Sequence, residues 1–475
     1  MDLEFIRPFI KYIPEVKLPR RHVPFKEKLI WSSSVLVLFF IMGVIYPVGV
    51  SRADIPEMFQ IYQIIFASKM GSIISVGIGP IVTASIILQL LVGSKMIELD
   101  LSKSDNQALF QATQKILTVL ISFFEAGGVV MGFHLGITLL GEDVWNPLHP
   151  LVLFIIFQIA LGSILLMFLD EVVSKWGIGS GIGLFIAAGV SQRIITASFN
   201  FMKNDAGNYV GIIPHTINSF LNGNVTFFEL FSSGYLFPII AVIVVFLVVV
   251  LGESMRLEIP LSYGGIRGVG GRYPLKFFYV SNIPVILAAA LLANIRMWAH
   301  IAGVDIHNPP NNPTMFQEIV YHIGHNLTLG DLYGILGPDN LYRLLDMNVV
   351  THLILYSVAF LCLCLLFGKF WVETTGLSAD SIAEQIQDGG MQIPGFRRDK
   401  RVIERVLNRY IPQITVISSI AVGLLALIAD LMGAVGSGTG ILLTVGILYN
   451  MYEQIQREQM SEMHPAFRRF MGKAY

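Results

Sequence analysis

Long apolar runs, each close to the length needed to cross a bilayer, constrain this chain more than any other feature. A hydrocarbon core of roughly 30 Å takes about 20 predominantly apolar residues in helical form. The sequence reads as ten such runs, near 30–50, 73–93, 111–134, 151–172, 179–199, 236–252, 278–299, 349–371, 412–432 and 438–456. Of the 475 residues, 54% are hydrophobic and only 14% charged, and the mean hydropathy is +0.66, so lipid rather than water is the solvent for most of the surface. The runs do not alternate with period two, which argues against a membrane β-barrel. The fold class is therefore all-α and polytopic. The cysteines, Cys362 and Cys364, stand two apart in one run and give no disulfide, metal or redox signal. Residues 1–28 are rich in Pro and Lys and do not resemble a cleavable leader, so the first run reads as the insertion signal.

Basic residues segregate between the loops. Arg7, Lys11, Lys17, Arg20, Arg21, Lys26 and Lys28 precede the first run. Arg256, Arg267, Arg272 and Lys276 lie between the sixth and seventh, and Arg397, Arg398, Lys400, Arg401, Arg405 and Arg409 between the eighth and ninth. The positive-inside rule puts these loops and the N-terminus in the cytoplasm, and an even number of spans returns the C-terminus there. Residues 56–68, PEMFQIYQIIFAS, have a helical period but are too short to span. They read as a re-entrant, plug-like half-helix beside a cavity, since irregular backbone at that depth needs protein or water around it. The alternative is a helix lying on the membrane surface.

An internal repeat is visible. Gly79-Pro80-Ile81-Val82 in the second run parallels Ile283-Pro284-Val285-Ile286 in the seventh, and Gly179-Ser180-Gly181-Ile182-Gly183 in the fifth parallels Gly436-Ser437-Gly438-Thr439-Gly440 in the tenth. Pairing the second run with the seventh and the fifth with the tenth implies duplication of a five-span unit. Five is odd, so the halves lie in opposite orientations, with the functional site near the midplane between them. Residues 1–200 form one half, 201–234 an external connector, and 235–475 the other half, with cytoplasmic loops 253–277 and 372–411. Pro80 is expected to bend the second run.

The glycine-rich segments 177–183 and 264–271 lack the phosphate-loop Lys-Ser/Thr and the strand-turn-helix context. No His pair stands at metal-binding spacing, and no nucleophile motif appears. The chain reads as a non-enzyme without a cofactor. Polar residues inside spans face the bundle interior or a cavity, and they are few: Thr83, Glu125 and Asn294, with Asp170, Glu171 and Asp430 at span ends. A secondary transporter, the rival reading, would place several ionisable groups at the midplane; a membrane scaffold is a third reading. Ile78 and Val82, and likewise Ile182 and Ile186, are four apart on one helix face, a pattern shared by ordinary core packing.

Four stretches carry a more specific signal: GIGPIVTASIILQLLVGSK (77–95), GIGSGIGLFIAAG (177–189), RYPLKFFYVSNIPVILAAALLAN (272–294) and DLMGAVGSGTGILLTV (430–445). With VPFKEKLIWS (23–32) and DNQALFQATQK (105–115), they resemble the SecY family of protein-translocation channels, in its archaeal and eukaryotic branch. The resemblance implies ten transmembrane helices as a clam-shell of two inverted five-helix halves, plugged from outside by a half-helix. The plug falls on Met58, Phe59, Ile61, Tyr62, Ile64 and Ile65. It implies an aliphatic pore ring at Ile78, Val82, Ile182, Ile186, Ile286 and Leu443, and a lateral gate carrying Thr83, Glu125 and Asn294. Ribosome docking would fall on Arg267 and Arg397, with Arg272 and Arg398 beside them.

The implied partners are small membrane subunits (SecE or gamma, and a beta subunit), the ribosome, signal peptides and nascent chains, and lipid. The implied location is the plasma membrane in a prokaryote. A pore for every sequence cannot rely on specific charges or hydrogen bonds, whereas aliphatic side chains flex around any passenger and a narrow apolar constriction dewets against ions.

Overall fold

The computed structural model describes residues 14–21, 23–50, 67–93, 96–97, 104–132, 138–139, 142–143, 149–204, 207–223, 225–263, 270–301, 304, 314–388, 391–392 and 399–463. The helices among them are α1 (Phe25–Met42), α2 (Gly79–Gly93), α3 (Ser104–Gly132), α4 (Pro150–Trp176), α5 (Gly181–Phe199), α6 (Ile212–Leu221), α7 (Phe237–Ser254), α8 (Ile283–Ile301), α9 (Met315–Asn326), α10 (Met347–Thr374), α11 (Ala379–Asp388), α12 (Lys400–Leu431) and α13 (Gly438–Met463). Among the described residues, six helical stretches are long and apolar enough to cross a membrane, and α2 and α8 contain shorter apolar helices. The short strands β1 (Thr138–Leu139) and β2 (Glu142–Asp143) pair with each other, and β3 (Arg256–Tyr263) pairs antiparallel with both β4 (Gly270–Lys276) and β5 (Met391–Gln392).

The apolar runs and the helices do not coincide at every end. Pro80 and Pro284 are each the second residue of their helix, α2 and α8, where the missing N–H costs nothing. The expected bend at Pro80 is therefore a helix start. Upstream, the chain turns through positive φ at Gly77 (61°) and at Ser281 (56°), each three residues before its proline. Buried irregular backbone needs partners, and local hydroxyls supply them. Ser72 Oγ donates to the Lys69 carbonyl at 2.5 Å, Ser75 Oγ to the Ser72 carbonyl at 2.5 Å, and Ser163 Oγ of α4 to the Gly77 carbonyl at 3.0 Å. In the second half Ser418 Oγ of α12 accepts from Val280 N at 3.3 Å. A side chain at Gly162 would strike the Ile73 carbonyl oxygen, 2.1 Å from the position of its Cβ, so α4 presses directly on this turn.

The same devices recur at α5 and α13. Ser180 accepts from Gly183 N at 3.5 Å and Ser437 from Gly440 N at 3.1 Å, each capping its helix. A carboxylate of the preceding helix, six residues before the end of α4 and one before the end of α12, adds a second cap: Asp170 Oδ1 accepts from Ile182 N at 2.8 Å, and Asp430 Oδ1 from Gly438 N at 2.6 Å. Both carboxylates lie against a glycine. A Cβ on Gly181 would fall 2.5 Å from Asp170 Cα, and one on Gly438 2.5 Å from Asp430 N.

Packing follows the same symmetry. The neighbours α2/α3, α3/α4, α4/α5, α1/α4, α1/α5 and α2/α4 recur as α8/α10, α10/α12, α12/α13, α7/α12, α7/α13 and α8/α12. Between the two groups, α2 meets α8 and α10, α3 meets α8, and α5 meets α13.

α12 begins at Lys400, earlier than the apolar run starting near 412. Its first turns are amphipathic: Ile403, Leu407 and Ile411 are buried at helical spacing against Ile382, Ala383 and Ile386 of α11 and Ile259 and Leu275 of the β3/β4 hairpin. The two long basic loops thus fold together into one small core outside the apolar helices. Tyr279 Oη fastens it, donating to the Leu377 carbonyl at 2.6 Å.

Candidate functional site

A cavity of about 560 Å³ lies between the two helix groups. Its apolar wall includes Val82 of α2, Ile182 and Ile186 of α5, and Ile286 of α8. Four of the six aliphatic residues singled out in the sequence therefore line one space, supplied by helices from both groups. Ile78 and Leu443 are fully buried behind that wall. Its rim is polar, with Gln89 of α2, Gln114 of α3, and Lys276, Asn450, Glu453 and Arg457 beside the hairpin. Gln89 and Gln114 went unnoticed in the sequence, although Ile78, Val82, Ser85 and Gln89 repeat every three or four residues on one face of the chain as it enters α2.

Aligning the prolines makes Asn282 the counterpart of Ile78, and here the repeat departs from an all-aliphatic ring. Asn282 is buried, and its Nδ2 donates to the Leu442 carbonyl at 3.2 Å. A Cβ at Gly446 would lie 1.7 Å from that nitrogen, so the glycine is what makes room for the amide.

Thr83, Glu125 and Asn294, which stand on three helices, are brought together. Asn294 Nδ2 of α8 donates to Thr83 Oγ1 of α2 at 2.9 Å, and Thr83 Oγ1 donates to Glu125 Oε1 of α3 at 2.7 Å. The chain of bonds ties the two groups across their seam. All three side chains are buried, yet Glu125 Oε2 and Asn294 Oδ1 have no hydrogen-bond partner among the described residues. Leaving buried polar atoms unpaired costs free energy, so the contact holds the seam with less than its full potential strength.

Electrostatics dominate at the mouth. Glu453 of α13 accepts from Arg256 Nη2 at 2.6 Å and from Lys276 Nζ at 2.9 Å. Arg256 and Lys276 face each other in register at the open end of the hairpin, so one carboxylate clamps both of its strands. Lys276 also donates to Asn450 Oδ1 at 3.3 Å and lies over the Tyr449 ring at 5.7 Å, so with Glu453 it touches two neighbouring turns of α13. On the far side of α13, Glu458 Oε1 meets Lys28 Nζ of α1 at 2.6 Å.

The segments holding Met58, Phe59, Ile61, Tyr62, Ile64 and Ile65, and those holding Arg267, Arg397 and Arg398, lie outside the described residues. Arg272 lies on β4 opposite Pro260 of β3. Among the described residues no cluster of three or more His, Cys, Asp or Glu could hold a metal ion.

A family model described as SecY matches residues 72–452. Two curated relatives, each a protein translocase subunit SecY, align over nearly the whole chain. That of Methanocaldococcus jannaschii is 47% identical, covering 98% of this chain and 99% of the relative; that of Pyrococcus horikoshii is 46% identical, covering 97% of each. A solved structure described as a protein-conducting channel superposes with a TM-score of 0.79 at 46% identity, covering 97% of this chain and 99% of its own. Sec61 in a canine ribosome-channel complex from the endoplasmic reticulum superposes with a TM-score of 0.77, with the same identity and coverage.

Proposed function

This chain belongs to the SecY family, and from that premise we propose that it is a protein-conducting channel, passing unfolded polypeptides through the cavity between its two helix groups. The observation that carries the reading is the cavity itself: a polar mouth above walls of Val82, Ile182, Ile186 and Ile286 contributed by three helices. A secondary transporter would need ionisable groups on that wall, and these four side chains offer none.

The finer architecture is our reading as well. Ten spans form two inverted halves, residues 1–200 and 235–475, joined by 201–234; the recurring turns, caps and packing support this. Residues 56–68 plug the outer side. Ile78 and Leu443 complete the ring once a chain enters. Thr83, Glu125 and Asn294 latch a lateral gate between α2/α3 and α8/α10, through which apolar segments leave for lipid. Both termini lie in the cytoplasm and the membrane is the plasma membrane, with small partner subunits of the SecE or gamma and beta types clamping the halves. The ribosome docks on the loops carrying Arg267, Arg272, Arg397 and Arg398, because Arg supplies salt-sensitive contacts to RNA phosphates.

One reconstitution tests channel and docking separately. Ribosomes bearing a secretory nascent chain will bind proteoliposomes that hold the chain and its small partners, and the nascent chain will become protected from protease. Arg267→Glu with Arg397→Glu will weaken ribosome binding by at least about tenfold at moderate salt. Solute accumulation in place of polypeptide uptake by the wild type contradicts the channel; unchanged ribosome affinity in the double variant removes only the docking assignment.

A further inference from the structure

Helix α6, in the connector between α5 and α7, has its faces reversed relative to a helix built for water. It buries Pro214, Thr216 and Ser219 against the rest of the protein, the last two only 4% and 7% exposed. It turns outward Ile217, Phe220 and Leu221, with Leu221 77% exposed. On the buried face Thr216 Oγ1 donates to the Ile212 carbonyl of its own helix at 2.7 Å, while His215 stacks on the Tyr235 ring at 5.5 Å and leaves its buried Nδ1 without a hydrogen-bond partner among the described residues. Farther along the connector Phe227 meets Phe228 and Phe231 edge-on, with ring centroids 6.0 and 5.7 Å apart, and Phe228 is 87% exposed. Large apolar side chains left exposed in clusters mark an interaction site.

Its position identifies what covers it. Gly211 N, at the start of α6, donates to the Asn200 carbonyl at 2.9 Å, and a Cβ on Gly211 would lie 2.4 Å from Asn200 N. α6 therefore begins in contact with the end of α5 and has no tether with which to leave that level. The outward apolar face of α5 (Ile195, Phe199) continues into Phe201 and Met202, and α7 resumes it with Ile243 and Phe246. Between them Lys203 Nζ lies over the Tyr209 ring at 5.0 Å, the cation and aromatic pairing suited to a membrane boundary.

We propose that α6 and the Phe227, Phe228 and Phe231 cluster lie in the boundary between headgroups and acyl chains, in the leaflet opposite the β3/β4 hairpin. There they anchor the connector between the halves to lipid. The assignment rests on the reading of α5 and α7 as spans. An interfacial helix of this type sinks its apolar face about 5–10 Å into that boundary.

The test places an environment-sensitive fluorescent amino acid at Leu221, at Phe228 or, as a lipid-facing reference, at Phe246, in the full chain with its partner subunits in phospholipid nanodiscs. Phospholipids brominated near the glycerol end of their acyl chains will reduce emission from positions 221 and 228 by about twofold or more, while aqueous iodide will have little effect. Quenching of both by iodide alone overturns the proposal, as does protection from both quenchers, which would mean that protein covers the patch. If Phe246, at the middle of α7, is not reached by phospholipids brominated near the methyl end of their acyl chains, the span reading fails; if it is reached and lipids brominated near the glycerol end reach neither connector position, only the anchor fails.

Discussion

A channel carrying Val82→Ser together with Ile286→Ser will conduct ions when idle, at least about tenfold more than its parent, provided both are measured without residues 57–67 so that the ring alone holds the seal. The two residues line the same cavity from opposite helix groups, so hydroxyls there offer water a hydrogen-bonded path between the walls. Full burial of a branched aliphatic side chain is worth about 1.5–3 kcal/mol, and a barrier lowered by one such increment changes a rate by about tenfold. Val248→Ser makes the same kind of change on the exposed face of α7, away from the cavity, and will leave conductance unchanged. Equal leakage from Val248→Ser would locate the seal elsewhere.

Asn294→Leu will make the channel admit weaker signal sequences. The 2.9 Å bond from Asn294 to Thr83 crosses the seam, and the 2.7 Å bond from Thr83 to Glu125 anchors it within the first helix group. Hydrogen bonds between membrane helices contribute roughly 0.6 kcal/mol on average and up to about 2. Losing the cross-group bond therefore shifts the gate by about threefold to about thirtyfold. Glu125→Gln, which keeps an acceptor for Thr83, will have a smaller effect. Uptake of precursors with graded signal hydrophobicity measures both; an unchanged threshold in Asn294→Leu removes these residues from the gate.

The apolar runs located the long helices because lipid solvation and helical hydrogen bonding impose the same length. They misjudged where α2 and α8 begin because hydropathy reports burial, not backbone conformation. Ser72, Ser75 and Ser163 satisfy a buried irregular turn that is as apolar overall as the helix it precedes. α12 starts before its apolar run because its first turns bury Ile403 and Leu407 against α11, in a pattern diluted by six basic residues between 397 and 409.

The repeat was legible at Pro80 and Pro284. Its carboxylate caps were not, since Asp170 lies ten residues before Ser180 and Asp430 seven before Ser437; Asp170 stands farther back from the end of its helix, and that offset defeats alignment. Thr83, Glu125 and Asn294 each stood out as polar residues within spans, but only the packing of α2, α3 and α8 brings them into bonding distance. Glu453 carried no signal, because a carboxylate that clamps both strands of a hairpin reads in sequence as one more charge on a polar helix end.

The proposed channel requires polypeptide to pass between Val82, Ile182, Ile186 and Ile286. A photoreactive residue placed at each of these positions, at Ile78 and at Val248, with a nascent chain stalled in transit, tests it most directly. The four cavity positions and Ile78 will crosslink to the chain, and Val248 will crosslink to lipid alone. Crosslinks to the chain from Val248, with none from the cavity positions, would contradict the account.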